Sequence, residues 1–520
     1  MTAKGGAMIF GIDPRTGDTV GVALPESDRE AVDAVVAAAS EAGRAWRATP
    51  AGERAQVLEA VADALTAHAE ELWPLAEAET ALGEERLRGE VGRAAGQFRL
   101  FARVLRDGGY ADAIIDHADG VAVPPRPDVR RMKNALPGVV AVFSASNFPF
   151  AFSVAGGDTA SALAAGCPVV VKAHPGHPNT SEAVAKVVRG ALPYPELLGL
   201  VHGLGAGADL VRHPGVVAAG FTGSVAGGKA IQALIDEREV PIPFFGELGS
   251  VNPVVVLPSA LEGESARGAL ARGFAGSLTM GVGQFCTNPG LMFVPEDRAL
   301  LEELGETVSG SAGGPMLGER IRDGYLGGLE RLGALRASVE TAGAGGAGAR
   351  GLAVLAEGAS GDGAFGVAPR VFVVGIDEFA GMLPAVANEC FGPSSVVVTY
   401  RDVRELVAVL GGLEGALTAT IHATDPGEAV EVSEVLGRVA GRLIWNGWPT
   451  GVAVCWAMHH GGPWPASTSA GHTSVGATAI DRWLAPTAYQ DWPGELLPLE
   501  LRDGNPLGIP RRVDGVLGLG

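Results

Sequence analysis

Cysteine is scarce in this chain. The four in 520 residues are Cys167, Cys286, Cys390 and Cys455. None is spaced for a C-x-x-C pair, so a structural zinc site of the ribbon or finger type is excluded and no metal is expected. A disulfide framework is not expected in so long a chain without a secretory leader. No apolar stretch approaches the ~20 residues that cross a bilayer. The N-terminal text MTAKGGAMIFGIDPRTGD has no apolar leader core, so the expected location is cytoplasmic. Positive charge is short as well: 39 Lys and Arg stand against 59 Asp and Glu, a formal net charge of −20. Such a surface repels nucleic acid and anionic membranes at long range, although a local cleft can still be positive. Internal repeats are absent.

What is present is a packed globular composition, 47% hydrophobic and 19% charged. The length predicts two large domains rather than one core. Residues 26–108 carry apolar residues at helical spacing in DREAVDAVVAAASEAGRAWRA and in RAQVLEAVADALTAHAEELWPLAEAE, which predicts amphipathic helices. The text near 118–135, GVAVPPRPDVRRMKNALPG, predicts a hairpin. Strand, loop and helix then alternate. Val-rich runs recur at 139–145, 168–174, 199–205, 216–223 and 252–258, and a second series lies at 291–297, 371–375, 394–402, 417–424 and 441–447. Unbroken apolar strands of this kind suit parallel sheets buried on both faces, so the fold class is α/β, with a doubly wound domain and a second α/β domain. The Gly- and Ala-rich residues 336–366 read as a loop-rich connection, and the proline-rich C-terminus as an extended arm.

Six motifs carry chemistry. A G-x-G-x-x-A run at Gly203, Gly205 and Ala208 follows a strand, but lacks the acidic residue about 20 positions on that a dinucleotide fingerprint needs, and reads as a structural turn. In GFTGSVAGG a strand ends as a helix starts, and Ser224 could cap that helix or touch a phosphate. In PFFGELGSVNP, Glu247 lies in apolar text, where burial should raise its pKa toward that of a general base. In GQFCTNPG, Cys286 stands among small and polar residues, as a thiolate nucleophile requires. In SASNFPF, Asn147 lies on a loop stiffened by Pro149 and could donate to an oxyanion. In NECFGPSSVV, Glu389 could accept from ribose hydroxyls, with Phe391 beside it. Each fits a turn or core role when taken alone.

Taken in order, SNFP, VVVKxH, GFTGS, ELG, GQxC and ExFGP resemble the aldehyde dehydrogenase superfamily over nearly the whole chain. The resemblance implies an aldehyde dehydrogenase fold: a Rossmann-like cofactor domain over 1–117 and 138–247, an oligomerisation hairpin over 118–137, an α/β catalytic domain over 248–455, and a C-terminal segment and arm over 456–520. It implies Cys286 as nucleophile, Asn147 as oxyanion donor and Glu247 as the acid that activates the deacylating water. Lys172, Ser224, Glu389 and Phe391 fall at cofactor positions. Pro175 stands where NAD-preferring members carry Glu, and His174 and His177 are nearby, which points to NADP in preference to NAD. A homodimer or homotetramer is implied. KAHPGHPNTSE, PFFGELGSVNPVVVLP, GQFCTNPG and VCWAMHHGGPWPASTS resemble the α-ketoglutaric semialdehyde dehydrogenases, with NADP-dependent fatty aldehyde dehydrogenases sharing much of the text. The implied reaction is 2,5-dioxopentanoate to 2-oxoglutarate. Alternatives are an aliphatic or aromatic aldehyde, a CoA-acylating reductase, which Glu247 argues against, or a non-catalytic cofactor-binding relative. One departure is Gly471, which stands where an Arg is expected.

Overall fold

The computed structural model of the chain describes residues 7–263, 265–341 and 351–519. The N-terminal helices form where the apolar spacing predicts them. Helix Arg29–Ala48 is capped by Asp28, which accepts from the Ala31 N–H at 2.9 Å, and it buries Val32, Val36, Ala39, Gly43 and Trp46 along one stripe. The Trp46 indole N–H donates to the Leu163 carbonyl at 2.9 Å, which ties this helix to the next layer. The second run forms two helices, Ala51–Ala67 and Ala69–Thr80, instead of one. His68 divides them, its Nδ1 lying 2.8 Å from the Ala64 carbonyl at the end of the first. Helix Glu84–Asp107 packs against Ala51–Ala67 and ends at Gly108, which takes the left-handed conformation with φ 77°.

These helices cover a five-stranded sheet in the order Leu198–Val201, Val169–Lys172, Val139–Phe143, Val216–Thr222 and Phe244–Glu247. Every pairing in it is parallel. The three strands at the Val139 end of the series are buried throughout, as their unbroken Val and Leu content requires. A seven-stranded sheet follows, in the order Ala353–Glu357, Arg370–Gly375, Ser394–Tyr400, Leu291–Pro295, Val254–Val256, Ala416–His422 and Ala440–Trp445. Only its first strand runs antiparallel.

The region read as a loop over 336–366 is therefore corrected. Helix Glu319–Thr341 enters it and strand Ala353–Glu357 closes the sheet edge, drawing its hydrogen bonds from Arg370–Gly375 rather than from any local pattern; residues 342–350 lie outside the described residues. A third sheet, mostly antiparallel, has the order Leu484–Gln490, Val129–Ala135, Ala113–Asp116, Arg511–Val513 and Val516–Gly518. Its central hairpin begins at Ala113, before the anticipated residue 118. The proline-rich C-terminus, read as an extended arm, supplies three of the five strands and is folded into this sheet. Among the described residues no helix is long and apolar enough to cross a membrane.

The two parallel sheets fix where a site can form. Loops leaving the carboxyl ends of the five-stranded sheet carry Asn147, Lys172, Ser224 and Glu247. Segments entering the amino ends of the seven-stranded sheet carry Cys286, before Leu291, and Glu389 and Phe391, before Ser394. Ligands in open α/β sheets bind outside the carboxyl ends of the strands, which here are those of the five-stranded sheet.

Candidate active site

Cys286 follows a tight backbone run in which Gly281, Val282 and Gly283 all have φ near 60°. Val282 is β-branched, so that conformation is strained and must be held by its surroundings. Gly283 is required there, because a side chain would run into the Gly392–Pro393 backbone. This contact joins the cysteine loop to the segment that bears Glu389 and Phe391. Asn252 locks the other side. Its Nδ2 donates to the Cys286 carbonyl at 2.8 Å and to the Asn288 carbonyl at 3.0 Å, and its Oδ1 accepts from Ser250 and Thr418. Sequence reasoning passed over Asn252, which stands in the same ELGSVNP text as Glu247.

Glu247 ends its strand and is buried. Chain segment 466–468 runs beside it: the Leu248 N–H donates to the Ala466 carbonyl, and Thr468 and Gly246 are hydrogen-bonded both ways. That segment brings in a residue no motif assigned. His460 is fully buried, with Nε2 3.2 Å from Glu247 Oε1 and 3.6 Å from Cys286 Sγ. The three donor atoms of Cys286, Glu247 and His460 lie within 4.8 Å of one another. Ser474 donates to Glu247 Oε2 and to the His460 carbonyl, and Thr473 accepts from the His460 N–H at 2.8 Å. His460 belongs to AMHHGGPWP, text that marks the subfamily; neighbouring His459 gives the sequence no means of telling which of the two faces inward.

The electrostatics correct one expectation. Burial does push the Glu247 carboxyl up, but the charge and hydrogen bonds of His460, then Ser474 and Cys286, outweigh it, and its pKa lies below the usual carboxylate range. The Cys286 thiol carries the opposite shift. Burial raises it well above its ordinary value, and the Glu247 and Glu389 charges raise it further. In this arrangement the glutamate is the ion and the cysteine holds its proton.

Asn147 is buried, and its Nδ2 donates to the Gln284 carbonyl at 2.9 Å, two residues before Cys286. Its own carbonyl accepts from Arg86 at 2.6 Å. Arg86 lies over the rings of Phe148 and Phe285, 5.2 and 4.8 Å from their centroids. Buried Glu90 accepts the N–H groups of Phe150 and Ala151. The asparagine loop is thus fixed from helix Glu84–Asp107.

Lys172 is buried at its strand end, and that burial, with Arg320 nearby, lowers its pKa to about 8; Glu26 acts in the other direction. His174 and His177 stack at 5.4 Å. Burial drives both below the ordinary imidazole range. His177 is held by the Ala145 carbonyl at 2.9 Å and by Ser181. His174 Nδ1 accepts from the Gly176 N–H at 3.0 Å, which leaves Nε2 to donate. Neither histidine is a standing cation, so they do not supply the positive charge anticipated beside Pro175, which is itself exposed. Ser224 caps helix Val225–Asp236, accepting from the Gly227 N–H at 3.1 Å, and the N-terminus of that helix faces solvent. Glu389 and Phe391 line a crevice with Ser250 and Phe285, and burial raises the Glu389 carboxyl to about 7. Gly203 has φ 104° and begins helix Leu204–Arg212 as a turn residue. Gly471 is exposed, and a side chain there would meet open space.

Two largely parallel sheets meet at half-buried Cys286 and at buried Glu247 and Asn147, an arrangement suited to covalent thiol chemistry on a carbonyl compound. The aldehyde dehydrogenase family profile matches residues 2–485, and the chain belongs to that family, whose members are NAD(P)-dependent oxidoreductases acting on aldehydes. It is 48% identical over 492 residues to alpha-ketoglutaric semialdehyde dehydrogenase 2 of Azospirillum brasilense, covering 92% of this chain and 90% of that one. It is 41% identical over 508 residues to an alpha-ketoglutaric semialdehyde dehydrogenase of Acinetobacter baylyi, covering 96% and 93%. Among solved structures, gamma-glutamyl-gamma-aminobutyraldehyde dehydrogenase from Burkholderia cenocepacia J2315 superposes with a TM-score of 0.79 at 24% identity, over 94% of each chain. PnpE in complex with nicotinamide adenine dinucleotide superposes at 0.78 and 22% identity, over 94% and 95%.

Proposed function

We propose that this enzyme oxidises 2,5-dioxopentanoate to 2-oxoglutarate through a thioester on Cys286. The observation that carries the reading is the Cys286–Glu247–His460 cluster within 4.8 Å, beside Asn147. The two relatives at 48% and 41% identity bear the name of that activity.

The chemistry follows from the groups present. The Glu247–His460 pair, with His460 Nε2 3.6 Å from Sγ, is placed to take up the thiol proton as Cys286 adds to the aldehyde carbon. The new oxyanion is met by the Asn147 amide, whose second N–H is not needed by Gln284, and by the Cys286 main-chain N–H. A bound nicotinamide dinucleotide supplies the hydride acceptor. Glu247, charged and aimed at the same centre, activates the water that releases the acid. The low pKa of Glu247 makes it a weaker base than an isolated buried carboxylate; His460 offsets this by accepting or returning the proton across 3.2 Å.

The residues at the strand ends fit a dinucleotide: an ammonium at Lys172, an open helix N-terminus at Ser224, and an acid at Glu389 across the cleft. With His174 Nε2 a donor, Pro175 uncharged and Arg320 acting on Lys172, this set supports NADP over NAD. We also assign a homodimer or homotetramer built on the third sheet, whose edge strand exposes Val516 and Leu517 at 72% and 66%. Light scattering on the purified protein tests the assembly.

The activity test is reduced-cofactor formation with 2,5-dioxopentanoate, hexanal and decanal, each with NADP and NAD. The proposal requires 2,5-dioxopentanoate to have the highest kcat/KM. Preference for decanal would overturn the substrate, and preference for NAD would overturn the cofactor. Cys286→Ala must abolish oxidation while cofactor binding persists.

A further inference from the structure

Helix Glu84–Asp107 carries more cationic charge toward the interior than its surroundings neutralise. Arg86, Glu90 and Arg93 follow one another at i, i+4 and i+7, so one buried carboxylate serves two partly buried guanidinium groups. Arg86 is engaged by the Asn147 carbonyl. Arg93 is not so engaged: its Nε and Nη2 are buried and meet no hydrogen-bond acceptor among the described residues. A buried cation with open donors is costly unless an anion meets it.

The location of Arg93 indicates which anion. Its guanidinium lies over the rings of Phe148 and Phe152, at 5.3 and 5.2 Å, immediately after Asn147 in the chain. Arg93 also lines a recess of about 320 Å³, together with Gly96, Arg99, Arg103, Val452 and Val454. The 450–454 loop is tied back to the nucleophile, because the Gly451 N–H donates to Thr287 Oγ1 at 3.3 Å and Thr450 is hydrogen-bonded to Ser277. Burial lowers the Arg93 pKa, and the negative charge of Glu90, then that of the Cys286–Glu247 centre, acts the other way. The recess therefore gathers Arg93, Arg99 and Arg103 around one opening next to the oxyanion loop.

We propose that Arg93 binds the far carboxylate of the substrate, with Arg103 and Arg99, the latter also paired with Asp63 at 2.8 Å, drawing it in, so that this recess selects short aldehydes with an anionic end. This rests on Cys286 being the nucleophile. Bidentate guanidinium–carboxylate pairing suits the two unpaired nitrogens of Arg93, Nε and Nη2.

The test compares 2,5-dioxopentanoate with pentanal, an uncharged aldehyde of equal carbon number, in wild type, Arg93→Gln and Arg93→Lys. Loss of a charge-assisted contact should raise KM for the anionic aldehyde about tenfold or more in Arg93→Gln, with partial recovery in Arg93→Lys. KM for pentanal should stay within about twofold. If both KM values rise together, or neither does, the assignment is overturned. Should Arg93→Gln not fold, glutarate inhibition decides. Glutarate must compete with the aldehyde in wild type and do so more weakly in Arg99→Gln/Arg103→Gln; equal inhibition or none overturns the proposal. Cys286→Ala, assayed alongside, reports on the thioester independently: oxidation surviving in it refutes the nucleophile without altering the outcome at Arg93.

Discussion

Glu247 is expected both to hold the Cys286 proton in place and to drive deacylation, so Glu247→Gln should have two opposed effects. The donor atoms of the cluster lie within 4.8 Å. Two unit charges at that separation repel by about 3.5 kcal/mol at an effective dielectric of about 20. Solvent reaching the half-exposed sulfur reduces this, yet a third of it still shifts the thiol–thiolate equilibrium several-fold. The assay is the pseudo-first-order rate of iodoacetamide alkylation of Cys286, read as a function of pH and compared with Cys286→Ala for background. At pH 7.5 alkylation of Glu247→Gln should be faster than wild type by roughly tenfold. Stopped-flow mixing with aldehyde and cofactor should then show about one equivalent of reduced cofactor per site followed by a slow phase, because acylation outruns hydrolysis. Unchanged or slower alkylation across the pH range would refute the electrostatic reasoning. Rapid alkylation with undiminished steady-state turnover would refute the role of Glu247 in hydrolysis alone.

Three further outcomes are expected. Asn147→Ala should lower kcat by about 10²–10³ with a small change in aldehyde KM, as loss of one oxyanion donor does; a pure KM effect would count against it. Asn252→Ala strands the carbonyls of Cys286 and Asn288 and places Ala at φ 45°, so urea unfolding should show a loss of about 2–3 kcal/mol, and Asn252→Gly should recover the backbone part only. His422 is buried against Trp448, and burial lowers its pKa to about 4, below the value of about 6.5 it regains on unfolding. The unfolded state therefore binds the extra proton between these values, and stability is lost as pH falls through that window, by about 2 kcal/mol at pH 5. His422→Leu should lose correspondingly less between pH 7.5 and pH 5 in urea melts; an identical loss would show that the ring titrates normally.

The parallel strands were legible because burial on both faces leaves nothing to alternate: Val139–Phe143 and Val169–Lys172 are apolar in every position but the last lysine. Strand Ala353–Glu357 was not legible, because an edge strand in Gly- and Ala-rich text has only its partner to define it. The motif residues Asn147, Glu247 and Cys286 do come together, from two loops and a strand end. The direction of the Glu247 shift could not be read from its apolar neighbours in sequence. It is set by His460 and Ser474, more than 200 positions away, which cross beside its strand. The same holds for His174: proximity to Lys172 in sequence suggests a cation, whereas burial and the Gly176 turn make it a neutral donor.

This separation has a physical reason. A nucleophile and its base must be close enough to exchange a proton, yet their charges repel, and burial in one sheet would penalise both. Here the carboxyl edge of one sheet presents the acid, the amino edge of the other presents the thiol, and His460 enters from a third segment with Nε2 3.2 Å from the acid. Asn252 and Gly283 then hold the cysteine loop against both sides through main-chain contacts that do not depend on charge. A change at Asn252 or Gly283 should therefore move the thiol relative to His460 without altering the charge on either, which distinguishes positioning residues from the groups that exchange the proton.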